Sequence, residues 1–172
     1  MRRILVCFLL ALACLCAPAS GLAGDAPAFD FNSPEITALL DVLGTQTSEL
    51  AEFAVDFQCR QDMLLNQYDD PRGASAMLGL MLASDNALSA AHDAYMSLVA
   101  LRADPDMAPE AQDALLEMLR IEKTRALVLA NSRDSLDLLP VPDVYLFLRD
   151  RLKALLVRLG QTFEQLGPAL GW

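Results

Sequence analysis

Residues 34–68 read PEITALLDVLGTQTSELAEFAVDFQCRQDMLLNQY, and this stretch decides the fold. Mostly apolar residues recur along it at alternating intervals of four and three, without a break. That alternation keeps every member on one face of an α-helix and is the heptad seam typical of coiled coils and helical bundles. The members of the seam are Ile36, Leu40, Leu43, Thr47, Leu50, Ala54, Phe57, Gln61, Leu64 and Tyr68.

A second stripe on the same stretch is acidic. Glu49, Glu52 and Asp56 follow one another at spacings of three and four residues, so on a helix they lie together and away from the seam. Like charges this close repel weakly, and a cationic partner would relieve the repulsion. We take these three as candidate partner-binding residues; the alternative is an ordinary solvated helix face.

Proline divides the chain into four long segments. Proline is favoured in the first turn of a helix because its missing N–H has no partner there. Ser33 and Asp70 stand where the N-caps of the first two helices would be. The four prolines that open the segments are Pro34, Pro71, Pro109 and Pro142.

Four helices joined by short turns predict an all-α protein, an up-down-up-down, antiparallel, left-handed four-helix bundle over residues 34–169. The alternative is a more irregular helical domain in which the first helix breaks near Val42, Gly44 and Thr45. The last helix repeats the seam of the first. Its members are Tyr145, Leu148, Leu152, Leu155, Leu159, Thr162 and Leu166.

The second helix carries small residues at intervals of four: Ser75, Gly79, Ala83, Ala87 and Ala91. Small side chains let another helix come close, so this ridge predicts an intramolecular packing groove, and a homodimer seam is the disfavoured alternative. Larger residues, Leu78, Met81, Leu82, Leu88 and Leu98, lie beside the ridge. The third helix has Glu122 and Arg125 near its middle, which leaves its core face undefined.

Residues 1–23, MRRILVCFLLALACLCAPASGLA, have the order of a cleavable signal peptide: two arginines, an apolar run and then small residues. We expect an exported protein, periplasmic or extracellular, whose mature chain begins at Ser20 or Gly24 and whose residues 24–33 form a short flexible segment. Lipid attachment at Cys14 is disfavoured, since Ala11 stands where a lipidated cysteine usually has leucine.

Cleavage would leave Cys59 as the only cysteine, which excludes an intramolecular disulfide. Burial is the preferred interpretation of Cys59, and an intermolecular disulfide is the alternative. The formal net charge of −10 disfavours nucleic acid and anionic lipid as partners. We expect no transmembrane helix in the mature chain, because charged and polar residues interrupt its apolar stretches.

Little in the sequence points to catalysis. Asp85, Ser89 and His92 share one side of helix two and form a candidate polar cluster, which we interpret as a hydrogen-bond chain at the edge of the core. A hydrolase triad is not supported, because Ser89 would lie mid-helix among amides already engaged in helical bonds.

His92 is the only histidine, which excludes an ordinary zinc site, and we expect no catalytic residue, cofactor or metal. The sequence therefore predicts a non-catalytic binding or adaptor module for a protein partner, with the acidic first helix as its candidate surface. The alternative is a bundle that holds an apolar small molecule in its core, or a non-covalent cofactor such as haem bound by His92 and a methionine.

Overall fold

The structure is a computed structural model that describes residues 30–67 and 70–172, and every regular element in those ranges is helical. The long helices are α1 (Pro34–Gln67), α2 (Pro71–Ala103), α3 (Pro109–Asn131) and α4 (Leu146–Ala169). Two short 3₁₀ segments, Arg133–Leu138 and Asp143–Tyr145, lie between α3 and α4. The prediction of an all-α protein with four long helices is thereby confirmed, and the arrangement is consistent with a helical bundle.

The first two helices begin where their caps predict. The amide of Ile36 donates to Ser33 Oγ at 3.3 Å, and the amide of Gly73 donates to Asp70 Oδ1 at 2.9 Å. These bonds satisfy amides that the first turn of a helix leaves without an intrahelical acceptor. Helix α3 begins at Pro109 without a side-chain cap.

The prediction that Pro142 opens the last helix is wrong by a few residues. The chain makes the 3₁₀ turn Asp143–Tyr145 first, with the amide of Tyr145 donating to the Pro142 carbonyl at 2.8 Å, and α4 starts at Leu146. Pro140 and Pro142 hold the preceding backbone extended, so the chain needs this extra turn to reach the helical direction. The turn buries Tyr145, whose hydroxyl lies 3.9 Å from Met63 Sδ.

Ion pairs fasten the other 3₁₀ segment, Arg133–Leu138, to α4. Lys153 Nζ lies 2.6 Å from Asp137 and 3.3 Å from Asp134, and Arg149 Nε lies 3.3 Å from Asp137. The hydrogen bond from Lys153 lowers the pKa of the Asp137 carboxyl below its ordinary value. These contacts are solvent-exposed and position the connection rather than stabilise the core.

The seam of α1 is confirmed, although the buried face is wider than predicted. Seam members from Ile36 to Leu64 are buried or half-buried, while Tyr68 lies outside the described residues. Leu39, Gln46 and Phe53 are also buried, which adds a third row of side chains to the core face. Helix α1 runs unbroken from Pro34 to Gln67, so the alternative of a break near Val42, Gly44 and Thr45 is wrong.

The seam of α4 is confirmed in full, since all seven of its predicted members are buried. Leu156 and Phe163 widen this face in the same way that Phe53 widens α1. Burial of each such leucine or phenylalanine contributes about 1.5–3 kcal/mol before the entropy of ordering the chain is subtracted. These two faces therefore supply most of the large apolar side chains of the core.

The ridge of small residues predicted on α2 packs in part: Ala87 and Ala91 are buried, Gly79 and Ala83 are half-buried, and Ser75 is exposed. Among the larger residues beside the ridge, Leu98 is buried, Met81 and Leu88 are partly buried against the core, and Leu78 and Leu82 are exposed. The face that packs alternates larger residues, Met77, Leu80, Leu98 and Leu101, with alanines at Ala74, Ala76, Ala87, Ala90, Ala91 and Ala94. Since α2 packs against both α1 and α3, these alanines let two neighbours approach the same helix.

Close approach also marks the contact between α3 and α4. A Cβ atom added at the buried Gly160 would lie 2.6 Å from the Cβ of Ala130, closer than two carbons can pack. Glycine is therefore required there by the neighbouring helix. No helix within the described ranges is both long and apolar enough to cross a bilayer.

Replacing Gly160 by alanine is expected to lower the free energy of unfolding by about 1–3 kcal/mol, because overpacking outweighs the better helix propensity of alanine. Urea denaturation of Gly160→Ala measures this. Adding Ala130→Gly removes the clashing methyl group and should restore part of the loss. If the loss in the double variant equals the sum of the losses in Gly160→Ala and Ala130→Gly, the two residues are not in contact and this account of Gly160 is wrong.

Candidate functional site: a groove between the first and last helices

The predicted acidic stripe lies on α1 with two of its three carboxylates already paired. Glu49 Oε2 accepts from Arg158 Nη2 of α4 at 2.5 Å, and Asp56 Oδ1 lies 3.0 Å from Arg60 Nη2. Glu52 is exposed. The chain's own arginines therefore neutralise much of the charge that was predicted to attract a partner.

A long groove runs between α1 and α4, next to this stripe. It consists of three adjoining cavities of about 440, 560 and 320 Å³, which share lining residues such as Val42, Glu35 and Pro168. The cavity lined by residues 35–42 of α1 is lined on its other side by residues 165–169 of α4, and the cavity lined by residues 41–46 is lined by residues 158–165. Residue numbers thus rise along one wall where they fall along the other, so these two helices run in opposite directions. The α1 wall comprises Glu35, Ala38, Leu39, Asp41, Val42, Thr45 and Gln46, and the α4 wall Arg158, Gln161, Thr162, Gln165, Pro168 and Ala169.

The groove and the acidic stripe belong to one continuous face of α1. Ala38, Val42 and Thr45 in the groove are followed by the stripe residues Glu49, Glu52 and Asp56, still at alternating intervals of four and three. Such spacing places all six residues along a single line on the helix. The predicted stripe, Glu49 to Asp56, is thus one half of a longer surface on α1, and we call it the lower half. The groove, beside Ala38 to Thr45, is the upper half.

The two halves differ in the charge of the facing helix. In the lower half, α4 presents Arg158 to Glu49, and Arg151 lies 5.6 Å from the ring of Phe53 on α1. In the upper half, residues 159–169 of α4 contain no lysine or arginine. Glu35 and Asp41 are exposed there, and no ion pair found between described residues includes either of them. These two rim carboxylates of the groove are therefore uncompensated, whereas in the lower half only Glu52 of the stripe lacks an ion pair with a described residue.

The floor of the groove is polar and buried. Gln46 of α1 is only 6% exposed, and its Nε2 donates to Thr162 Oγ1 of α4 at 2.9 Å. The Thr162 hydroxyl in turn donates to the carbonyl of Arg158 at 3.0 Å. Gln46 Oε1 is buried without a hydrogen-bond partner within the part of the chain that the structure describes. A buried acceptor left unpaired costs about 1–3 kcal/mol of folding free energy.

An apolar strip lies beside this floor. Leu39 is buried, Ala38 and Pro168 are exposed, and Val42 is 43% exposed on the groove wall. The groove thus combines an apolar strip, a polar floor and an acidic rim. It can hold a ligand by its shape and charge.

The structure does not bring the predicted polar cluster together. His92 and Asp85 are exposed, and Ser89 donates to Asp93 Oδ2 at 3.0 Å rather than to either of them. The prediction of a hydrogen-bond chain through Asp85, Ser89 and His92 is therefore wrong. Asp93 lies one turn beyond Ser89 on α2 and takes the bond instead.

Sequence reasoning missed the ion pair that lies nearby on α3. Arg125 Nη1 donates to Glu122 Oε2 at 2.9 Å, and its Nη2 lies 3.4 Å from the Asn86 carbonyl of α2. Glu122 is 7% exposed, and burial raises the pKa of its carboxyl above the ordinary value, with Arg125 opposing the rise and Asp93 adding to it. The spacing of three residues within an apolar stretch was the signal that could have found this pair.

Cys59 is exposed, so its preferred interpretation as a buried residue is wrong. No group of three or more histidine, cysteine or acidic side chains in the described ranges could hold a metal ion. His92 faces solvent instead of the core, so the geometry lends no support to haem ligation by that residue.

Comparisons with protein-family models, with curated proteins and with solved structures find no match for this chain. The geometry of its own residues is therefore the basis for a proposal about function.

The raised pKa of Glu122 gives stability a specific pH dependence. A carboxyl whose pKa is higher in the folded state binds its proton more tightly there, so its destabilising charge is absent below the ordinary pKa of 4.5 and fully present above the folded pKa. Relative to Glu122→Gln, the wild type should lose free energy of unfolding as the pH rises from about 4.5 towards neutrality.

Urea unfolding across that pH range measures the difference. Glu117→Gln is the matched control, because Glu117 forms an exposed pair with Arg120 at the same spacing of three residues. Parallel pH profiles for the wild type and Glu122→Gln would contradict this account of Glu122.

Proposed function

We propose that this protein is an exported, non-catalytic binding or adaptor module whose acidic first helix engages a protein partner, and that the groove between α1 and α4 is the part of that surface that makes the contact. An up-down-up-down, antiparallel four-helix bundle over residues 34–169 is the proposed scaffold. Export rests on residues 1–23, which lie outside the described residues.

The observation that carries the proposal is the difference between the two halves of the α1 face. In the lower half, intramolecular arginines pair with two of the three acidic residues, Glu49 and Asp56. In the upper half, Glu35 and Asp41 flank a groove with an apolar strip and a buried, unpaired acceptor at Gln46. The buried, unpaired acceptor is costly to retain, and the exposed carboxylates are free to meet a cationic partner, so both support a binding role.

A non-catalytic role is supported by the chemistry of the groove walls. Acidic, amide and hydroxyl side chains line its polar part, and Thr45 Oγ1 is engaged with the Asp41 carbonyl at 3.0 Å. The candidate nucleophile Ser89 lies on α2 and is bonded to Asp93. A nucleophile beside a free general base, which covalent catalysis needs, is thus not supported by either site.

The experiment is affinity capture with the mature chain as bait, from the cell fraction in which that chain is found. The variant pair Glu35→Gln/Asp41→Asn should lose a partner that the wild type retains. Glu110→Gln/Asp113→Asn removes the same charge from exposed positions on α3, including a first-turn glutamate like Glu35, and should retain it.

A third variant separates the two halves of the surface. Glu49→Gln/Glu52→Gln/Asp56→Asn removes the lower stripe, and we expect a smaller loss of capture because Glu49 and Asp56 are already paired. Equal capture by the groove variant and the α3 control would contradict the proposed surface. A captured chain that still begins at Met1 would contradict export by signal cleavage.

A further inference from the structure

We infer the chemistry of the partner segment that fits this groove: an amphipathic helix that contacts it over about three turns, basic along its edges, with small apolar side chains along its centre and a hydrogen-bond donor among them. This inference rests on the proposed function. It is drawn from the length of the groove, the charge of its rim and the unpaired acceptor in its floor.

The shape favours a helix over a small molecule. The three adjoining cavities extend along α1 from the level of Glu35 to that of Gln46, with Asp30 and Arg158 at the two ends. At 1.5 Å per residue this span is roughly 17 Å long, the length of about three helical turns. The groove is open along its length, whereas a site that buries most of a small ligand is a closed cleft.

The walls favour helical packing as well. Two antiparallel helices present ridges of side chains with a valley between them, and a further helix can lie in such a valley at an interaxial distance of about 8–10 Å. Ala38, Ala169 and Pro168 are small or compact, which permits a close approach. Val42 is the larger exposed apolar side chain that the occupant would cover.

The rim requires a basic occupant. Asp30, Glu35 and Asp41 are exposed along the α1 side, and residues 159–169 of α4 offer them no cation. In the lower half of the same interface, Arg158 of α4 supplies the charge that pairs with Glu49. A partner helix with lysine or arginine at its edge would form ion pairs with Glu35 and Asp41, as Arg158 does with Glu49.

The floor adds a requirement for a donor. Gln46 Oε1 lies beneath the groove with no partner, while the amide nitrogen of the same side chain is committed to Thr162. A donor such as asparagine, glutamine or serine in the occupant, reached by a small rotation of the carboxamide, would satisfy the oxygen. Apolar replacement of both Gln46 and Thr162 removes the unpaired acceptor. We therefore expect that replacement to maintain or raise the free energy of unfolding and to weaken binding of the occupant.

The test uses synthetic peptides of 16 residues as probes, with the mature protein labelled for NMR. The first peptide is an amphipathic helix of alanine and leucine with one central glutamine and lysine at its edges. The second carries glutamate in place of lysine, and the third is the lysine peptide with a proline at its centre, which breaks the helix. Chemical-shift changes locate each peptide on the protein, and titration gives its Kd.

We expect the lysine helix to shift amides of Glu35–Gln46 and of residues 158–169, and to bind at least about tenfold more tightly than the other two peptides. Glu35→Gln/Asp41→Asn should weaken it about three- to tenfold, and Glu110→Gln/Asp113→Asn should leave its affinity unchanged. Gln46→Leu/Thr162→Val should weaken it several-fold while its urea midpoint stays equal to or above that of the wild type.

Three results would overturn the inference. These are equal affinity for the lysine and glutamate helices, equal affinity for the proline-broken peptide, or no groove shifts with the lysine helix at about 1 mM. If the groove variant still loses its captured partner, the proposed function survives any of these results and only the chemistry assigned to the partner fails. If capture does not depend on the groove, the proposed function fails as well.

Discussion

Close packing of small side chains is the constraint on which the rest of this structure depends. Helix α2 turns an alanine-rich face inward, and α3 meets α4 where Gly160 faces Ala130. Alanine and glycine contribute little apolar area, so most of the large core side chains, such as Phe53, Phe57 and Phe163, come from α1 and α4, and α2 adds Met77, Leu80, Leu98 and Leu101. The stability of the molecule therefore depends chiefly on the inward faces of its first and last helices.

These same two helices meet across polar contacts at their outer edge. Gln46 and Thr162 share a buried hydrogen bond, and Glu49 pairs with Arg158 one turn further along. A pair of apolar side chains would satisfy the packing without leaving Gln46 Oε1 unpaired. A fold that keeps a costly polar floor beneath an open groove, and leaves Glu35 and Asp41 on its rim without an ion pair to any described residue, has the properties expected of the proposed binding surface.

The sequence predicts contacts that depend on one helix and misses those that depend on two. The α1 seam and the caps at Ser33 and Asp70 follow from local spacing, and the structure confirms them. Exposure of Leu82 and burial of Glu122 depend on where a neighbouring helix lies. Hydrophobicity and periodicity within one segment carry no information about that placement. The bond from Ser89 to Asp93 lies within α2, and there two local acceptors at equal spacing compete for one hydroxyl.

The candidate site shows the same limit. Glu49, Glu52 and Asp56 were identifiable from their spacing, but only the facing helix shows that Arg158 already pairs with Glu49. The groove was not predictable, because its walls come from residues more than a hundred positions apart, as the bond between Gln46 and Thr162 illustrates. That Glu35 and Asp41 on its rim lack a pairing cation among the described residues follows only from the fold, which places the part of α4 without lysine or arginine beside them.

The most direct test of the account is site-specific photo-crosslinking in the fraction where the mature protein resides. A photoreactive side chain replaces Val42 on the groove wall in one variant and Val55 in the other, since Val55 is a 68% exposed apolar residue of the same helix outside the groove. The account predicts a discrete protein adduct through position 42, lost at high salt, and none through position 55. Equal adducts at both positions, or an adduct at position 55 alone, would contradict the claim that the groove between α1 and α4 is the binding surface.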